Sequence, residues 1–178
     1  MTAKIIMSGF GGQGIMAMGQ LVTYAGMVEE KQVSWLPSYG PEMRGGSANC
    51  SVILSDEPVG APNISVATDV IVMNEPSMEK FEDYVAPGGN LFINSSLVTS
   101  KPKRDDINVY EIPVNDIAQD LGNNKVANMV MLGAFLKVNP LVKRDSITGA
   151  FLKVYGEKKK HLLPINVEAL DAGKEAVE

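Results

Sequence analysis

Cysteine and histidine are almost missing from this sequence, with one of each, Cys50 and His161, in 178 residues. A single cysteine excludes an internal disulfide framework, a four-cysteine iron–sulfur site and a cysteine-rich zinc site. A single histidine supplies neither a histidine metal cage nor a well-oriented Ser/His/Asp triad, and the G-x-S-x-G elbow of a hydrolase does not occur. His161 follows Lys158-Lys159-Lys160 with no visible partner and reads as a surface or helix-end residue, not a catalytic base. Basic residues are outnumbered, 16 Lys and Arg against 21 Asp and Glu, for a formal charge of −5. With no longer basic run than those three lysines, nucleic acid is not an expected partner. No apolar stretch approaches the roughly 20 residues of a membrane span, and Ile5-Ile6-Met7 is too short for a signal peptide. A cytoplasmic protein without membrane contact is therefore expected, with no catalytic residue and no metal ligand set of its own.

What is present suits one globular domain over residues 1–178, with 45% hydrophobic residues and an ordinary charge content. Lys4 to Ser8 reads as a strand closed by Gly9. Ile15 to Val28 keeps Ile15, Met18, Gly19, Val22, Ala25 and Gly26 on helical spacing. Gln32 to Trp35 is a second strand, and Ser47 to Ser55 a buried one with Cys50, Val52 and Leu54 on one side. Further strands are expected at Asp69 to Met73, Leu91 to Asn94 and Val109 to Ile112. Helices are expected at Met78 to Val85, from Pro113 to near Gly122, from an Asn124 cap to Val138, from an Asp145 or Ser146 cap to Tyr155, and from Pro164 to Gly173. Met129 to Leu136 is apolar nearly all round and should be a central packed helix. Met16, Met18, Met27, Met129 and Met131 fall at core spacing and read as core filler. The alternation predicts a three-layer α/β/α domain with a Rossmann-like strand, glycine turn and helix at its start and a helical C-terminal part.

Two segments carry candidate function. Gly9-Phe10-Gly11-Gly12-Gln13-Gly14 satisfies G-x-G-x-x-G between a strand and a helix. Its glycines allow a sharp turn that brings backbone N–H groups and the helix N-terminal partial charge against an anion. Three readings stand side by side: a dinucleotide site, close strand–helix packing, and an anion or partner contact. The dinucleotide reading wants an acidic residue at the end of the second strand, whereas Glu29 and Glu30 lie before it. The second segment, Leu36 to Gly46, holds two prolines and three glycines among eleven residues and is read as a loop at the same sheet edge. There Ser38, Tyr39, Gly40, Glu42, Arg44, Gly45 and Gly46 could meet a carboxylate, a phosphate or a partner's acidic side chain, against the plainer reading of a solvated surface loop.

Taken together with Asn128-Met129-Val130-Met131-Leu132-Gly133-Ala134, the Ile112-Pro113 to Ile117-Ala118 entry and Asn166 to Gly173, these blocks resemble the gamma subunit of the 2-oxoacid:ferredoxin oxidoreductases. The resemblance runs through most of the chain. It implies membership of a complex that decarboxylates a 2-oxoacid on thiamine diphosphate, passes electrons through iron–sulfur clusters to ferredoxin and forms an acyl-CoA. It further implies that thiamine diphosphate, Mg2+ and [4Fe-4S] clusters sit in partner subunits and none in this chain. The implied partners are alpha and beta subunits, with a ferredoxin-like delta subunit as a further candidate, and ferredoxin and CoA at the level of the complex. The segment Val33-Ser34-Trp35-Leu36-Pro37-Ser38-Tyr39 resembles the 2-oxoglutarate branch. Gly9, Gly11, Gly12, Gln13, Gly14, Ser38, Tyr39, Gly40, Glu42, Arg44, Gly45 and Gly46 are the residues expected to contact ligand or partner. A free-standing nucleotide-binding protein is the competing reading.

Overall fold

A computed structural model describes residues 1–39 and 47–177. Strand β1 (Thr2–Phe10) leads through the glycine turn into helix α1 (Ile15–Val28), followed by β2 (Gln32–Tyr39), β3 (Ser47–Ser55) and β4 (Ala67–Val72). Helix α2 (Glu75–Phe81) and a 3₁₀ turn precede β5 (Val85–Asn94) and β6 (Asn108–Ile112). The C-terminal part holds α3 (Val114–Asp120), α4 (Ala127–Val138), α5 (Arg144–Tyr155) and α6 (Leu163–Glu175). The strands form one sheet in the order β2-β3-β1-β4-β5-β6. β1, β4, β5 and β6 are parallel neighbours, while β3 lies antiparallel between β1 and β2.

Side chains alternate across the sheet as a two-residue period requires. Ile5 and Met7, Cys50, Val52 and Leu54, Ile71 and Phe92 face the larger core under α1, α3, α4, α5 and α6. Ile6, Ile53, Val70, Val72, Leu91 and Ile93 face the smaller one, closed by Met78 and Phe81 of α2 with Ile64 and Val98 from connections. The domain is thus layered α/β/α, with one thick helical layer and one thin layer. Two carboxylates on the thin side hold the crossover from β5 to β6: Glu75 accepts from the backbone N–H of Thr99 and Ser100, and buried Glu82 from those of Lys103 and Arg104.

Several expected boundaries shift, each for a local reason. β1 continues through Gly9 to Phe10 because β3 pairs with it as far as Phe10↔Ser47. β2 runs on through Leu36, Pro37 and Ser38 to Tyr39, so the loop begins later than Leu36; proline is tolerated in this edge strand. Residues 82–84 form a 3₁₀ turn, and β5 starts at Val85, not at Leu91. The Ala86-Pro87-Gly88-Gly89 signal marks an interruption within β5, where the partner of Ala67 is Val85 and that of Asp69 is already Asn90. Asn123, not Asn124, caps the turn before α4, and Lys143 precedes α5 in place of Asp145 or Ser146. Met18, Met129 and Met131 are core residues, but Met27, near the end of α1, is 54% exposed.

Cys50 has no solvent exposure, and burial pushes its thiol up to about 12, an effect the Trp35 indole offsets only in part. At pH 8 only roughly one molecule in ten thousand would carry the thiolate. Dithionitrobenzoate should therefore leave the native chain unmodified over minutes and label one thiol per chain in denaturant. Rapid stoichiometric labelling of native protein would contradict this burial.

Candidate functional site

The carboxyl ends of β1 and β4 define the site. α1, following β1, covers the thick face, and α2, following β4, covers the thin one, so the chain leaves adjacent strands in opposite directions and opens a crevice between them. Ligands of open α/β sheets bind at such switch points.

The glycines of the turn divide by role. A side chain on Gly9 would overlap Gln13 Oε1 and come within 2.9 Å of Met73 Cβ, so Gly9 serves close packing. Gly14 has φ +75°, and a Cβ there would run into the Asn128 amide. Gly11 and Gly12 are exposed. Gly12, at φ +93°, has open space where a Cβ would stand. The Gln13 N–H closes the turn onto Phe10 O at 3.2 Å. The Gln13 side chain accepts from Phe10 N–H at 2.6 Å and donates to Met73 O at 3.2 Å, bracing β1 against β4. α1 has no side-chain cap and no acidic residue in its first turn, which leaves its N–H groups and positive end facing the crevice.

Two hollows flank this turn and share Gly12. One, of about 290 Å3, is mostly apolar and lies between the turn, Ile15, Met16, Phe10, Tyr39 and Ala48. The register Phe10↔Ser47 and Tyr39↔Ala48 confirms that the end of β2 reaches the same edge as the glycine turn. The other, of about 150 Å3, is polar and is lined by Gln13, Met73, Asn115, Asn124, Lys125 and Ala127. Beneath it Asn94 is fully buried and donates to Met73 O at 3.1 Å and to Asn115 Oδ1 at 2.7 Å. Ser8 and Ser77 hydroxyls meet at 2.7 Å, and Asn74 accepts from Ser77 N–H to cap α2. On the thick side Asn128 donates to Gly14 O at 3.2 Å and to the Tyr155 hydroxyl at 3.0 Å. Burial pushes the Tyr155 phenol upward, and the Asn128 bond offsets part of that.

Of the residues expected from sequence, Gly9, Gly11, Gly12, Gln13, Gly14 and Tyr39 come together at this edge. Ser38 is exposed in β2 opposite Asn49 and is not part of either hollow. Gly40, Glu42, Arg44, Gly45 and Gly46 lie outside the described residues. Asn74, Asn94, Asn115, Asn124, Lys125 and Asn128 were not singled out as site residues. For Asn74, Asn94 and Asn115 the signal was available, since each stands at or within three residues of the end of β4, β5 or β6.

The arrangement can bind and orient an anion or a polar chain, and among the described residues no acid–base pair lines it. Among the described residues no three His, Cys, Asp or Glu side chains converge, and the one cysteine is buried, so they offer no ligand set for a cluster or a metal. No helix among them is long and apolar enough to cross a membrane. A dinucleotide in the Rossmann manner also loses support, because the strand after α1 does not pair with β1; β3 stands between them. The strand end that would carry the ribose-holding acidic residue therefore stands one strand removed from β1, not next to it.

Residues 4–176 match the family model described as pyruvate ferredoxin/flavodoxin oxidoreductase, and the chain belongs to that family. It is 34% identical over 168 residues to the 2-oxoglutarate synthase subunit KorC of Methanocaldococcus jannaschii, covering 92% of this chain and 90% of that one. It is 33% identical over 173 residues to the ketoisovalerate oxidoreductase subunit VorA of Methanothermobacter thermautotrophicus, covering 97% of this chain and 36% of VorA. The chain thus spans about a third of the length of the VorA relatives it matches. The keto/oxoacid ferredoxin oxidoreductase gamma subunit of Geobacter sulfurreducens superposes with a TM-score of 0.83 at 28% identity, over 98% of this chain and 97% of that one.

Proposed function

We propose that this chain is the gamma subunit of a 2-oxoglutarate:ferredoxin oxidoreductase, the complex that converts 2-oxoglutarate and CoA to succinyl-CoA and CO2 while reducing ferredoxin. The observation that carries the proposal is a built anion-facing edge, the exposed Gly11–Gly12 turn before the uncapped start of α1, in a chain of this family. Thiamine diphosphate with Mg2+, and iron–sulfur clusters, would supply decarboxylation and electron transfer from the alpha and beta subunits or a ferredoxin-like delta subunit. This chain's part is to bind and to orient. Of the reaction's components CoA carries phosphates, and the exposed Gly11–Gly12 backbone, the uncapped start of α1 and Lys125 are suited to hold them. The apolar hollow beside Phe10 and Tyr39 gives the remainder of such a ligand, or a partner's side chain, a surface that excludes water.

The 2-oxoglutarate assignment rests on the likeness to KorC and on the Val33 to Tyr39 segment. Ketoisovalerate is the second reading, supported by the nearly equal likeness to VorA, and substrate choice would lie largely in other subunits.

The sequence from Gly40 to Gly46 belongs to the same proposed contact surface, with Arg44 as its anchor. Arg44→Ala should shift the stability of the isolated chain by no more than about 0.5 kcal/mol, as surface changes do. It should weaken assembly or turnover of the complex by at least about 2 kcal/mol, as loss of a hot-spot arginine does. Unfolding of the isolated variant, combined with normal assembly and turnover of the complex, would make Arg44 a structural residue and remove it from the site.

A further inference from the structure

A second cleft, of about 430 Å3, opens between α4 and α6 and the turn before α5. Glu29, the C-cap of α1, lies on its wall, so the whole length of α1, about 21 Å for its fourteen residues, separates it from the glycine turn. Its floor is apolar and recessed: Leu170 and Val142 line it yet are only 3% and 4% exposed, and Leu136 completes it. Its rim is cationic, with Lys137, Lys143, Arg144 and Lys174 against Glu29 and Asp171, on a chain whose formal charge is −5.

Both rim carboxylates are already engaged. Asp171 takes a two-pronged bond from Arg144 at 2.7 and 2.8 Å, and Glu29 accepts from the Lys143 backbone N–H at 2.9 Å. Lys137, Lys143 and Lys174 make no ion pair among the described residues. A concave apolar floor under a rim where four cations outnumber two carboxylates has the size and composition of a small-molecule pocket.

We propose that this cleft binds a small organic anion, a carboxylate carried on a slender apolar body, with the body on Leu136, Val142 and Leu170 and the charge among Lys137, Lys143 and Lys174. The inference does not depend on the function proposed for the glycine turn. The test is titration of the full-length chain with octanoate, followed by calorimetry and methyl NMR. Octanoate should bind saturably with one molecule per chain and shift the Leu136, Val142 and Leu170 methyl signals. Acetate, lacking the body, and 1-octanol, lacking the charge, should bind at least about tenfold more weakly, a difference of about 1.4 kcal/mol. The Lys137→Glu/Lys174→Glu double variant should lose binding to at least the same degree. If that variant does not fold, Lys137→Gln/Lys174→Gln is held to the same criterion. Absence of saturable octanoate binding, unchanged affinity in the folded double variant, or shifts confined to the glycine turn would overturn the proposal. So would a double variant that fails to join its partner chains while octanoate does not bind the parent, which would make the cleft a subunit interface.

Discussion

Gly133→Val should destabilise the chain by about 3 kcal/mol or more, the upper end of the overpacking range. A Cβ on Gly133 would overlap the Leu170 carbonyl oxygen and stand 2.8 Å from its carbon and 3.1 Å from its Cα. The contact is reciprocal, since a Cβ on Gly173 would overlap Val130 O and lie 2.7 Å from its carbonyl carbon. Backbone faces backbone at this crossing of α4 and α6, so no rotamer change relieves the overlap and the helix axes must separate. That would unseat α4, buried from Ala127 to Phe135 at the centre of the larger core. In a domain of this size the loss corresponds to a fall in Tm of roughly 6–12 °C. Gly149 is the control: it is helical and exposed, and a Cβ there meets nothing within 4 Å. Gly149→Ala should stabilise by about 0.5–1 kcal/mol through backbone entropy and helix propensity. Urea denaturation of the three chains checks both signs, and a Gly133→Val midpoint equal to that of the parent would show that α4 and α6 do not meet this closely.

Gly14→Val should cost a similar amount, about 3 kcal/mol, through two separable causes. Its φ of +75° is a conformation that a branched L residue adopts at about 1–2 kcal/mol. The added side chain would also displace the Asn128 amide, breaking its bonds to Gly14 O and Tyr155. Asn128→Ala in the Gly14→Val background should recover the overlap and not the backbone strain, so the two changes should be non-additive by about 1 kcal/mol. Strict additivity would mean that Asn128 is not the obstacle. Gly12→Ala shares only the positive φ, with open space around it, and should cost about 1–2 kcal/mol. That contrast separates a glycine required for packing from one required for an open turn.

Where local pattern and burial coincide, the fold could be read directly. The helical spacing of Ile15, Met18, Val22 and Ala25 placed α1 at its observed bounds because that face is the one buried against β3 and β2. The alternation in Ser47 to Ser55 gave β3 for the same reason. Topology was not legible in this way: nothing in the local pattern of β3 states that it inserts antiparallel between β1 and β2, and this pairing argues against a Rossmann nucleotide site. Leu36 to Tyr39 looked like a loop because proline and small polar residues are turn formers, yet an edge strand needs only one side of its backbone paired. Met27 counts as core only if its helical phase is ignored: it stands about two and a half turns after Met18, on the opposite face of α1, so the sheet that packs against Gly26 leaves it exposed. At the site, the glycine turn stood out because its composition is unusual. The asparagines beneath it did not, because their role is set by strand ends that meet only in the folded sheet.

The most direct test of the gamma-subunit assignment is purification of the tagged full-length chain from its native host under anoxic conditions, followed by assay of whatever accompanies it. The assignment predicts co-purification with thiamine- and cluster-bearing chains, and reduction of ferredoxin that requires both a 2-oxoacid and CoA, fastest with 2-oxoglutarate. Recovery of the chain alone, with stoichiometric micromolar binding of a nicotinamide or flavin nucleotide abolished by substitution at Gly12, would contradict it.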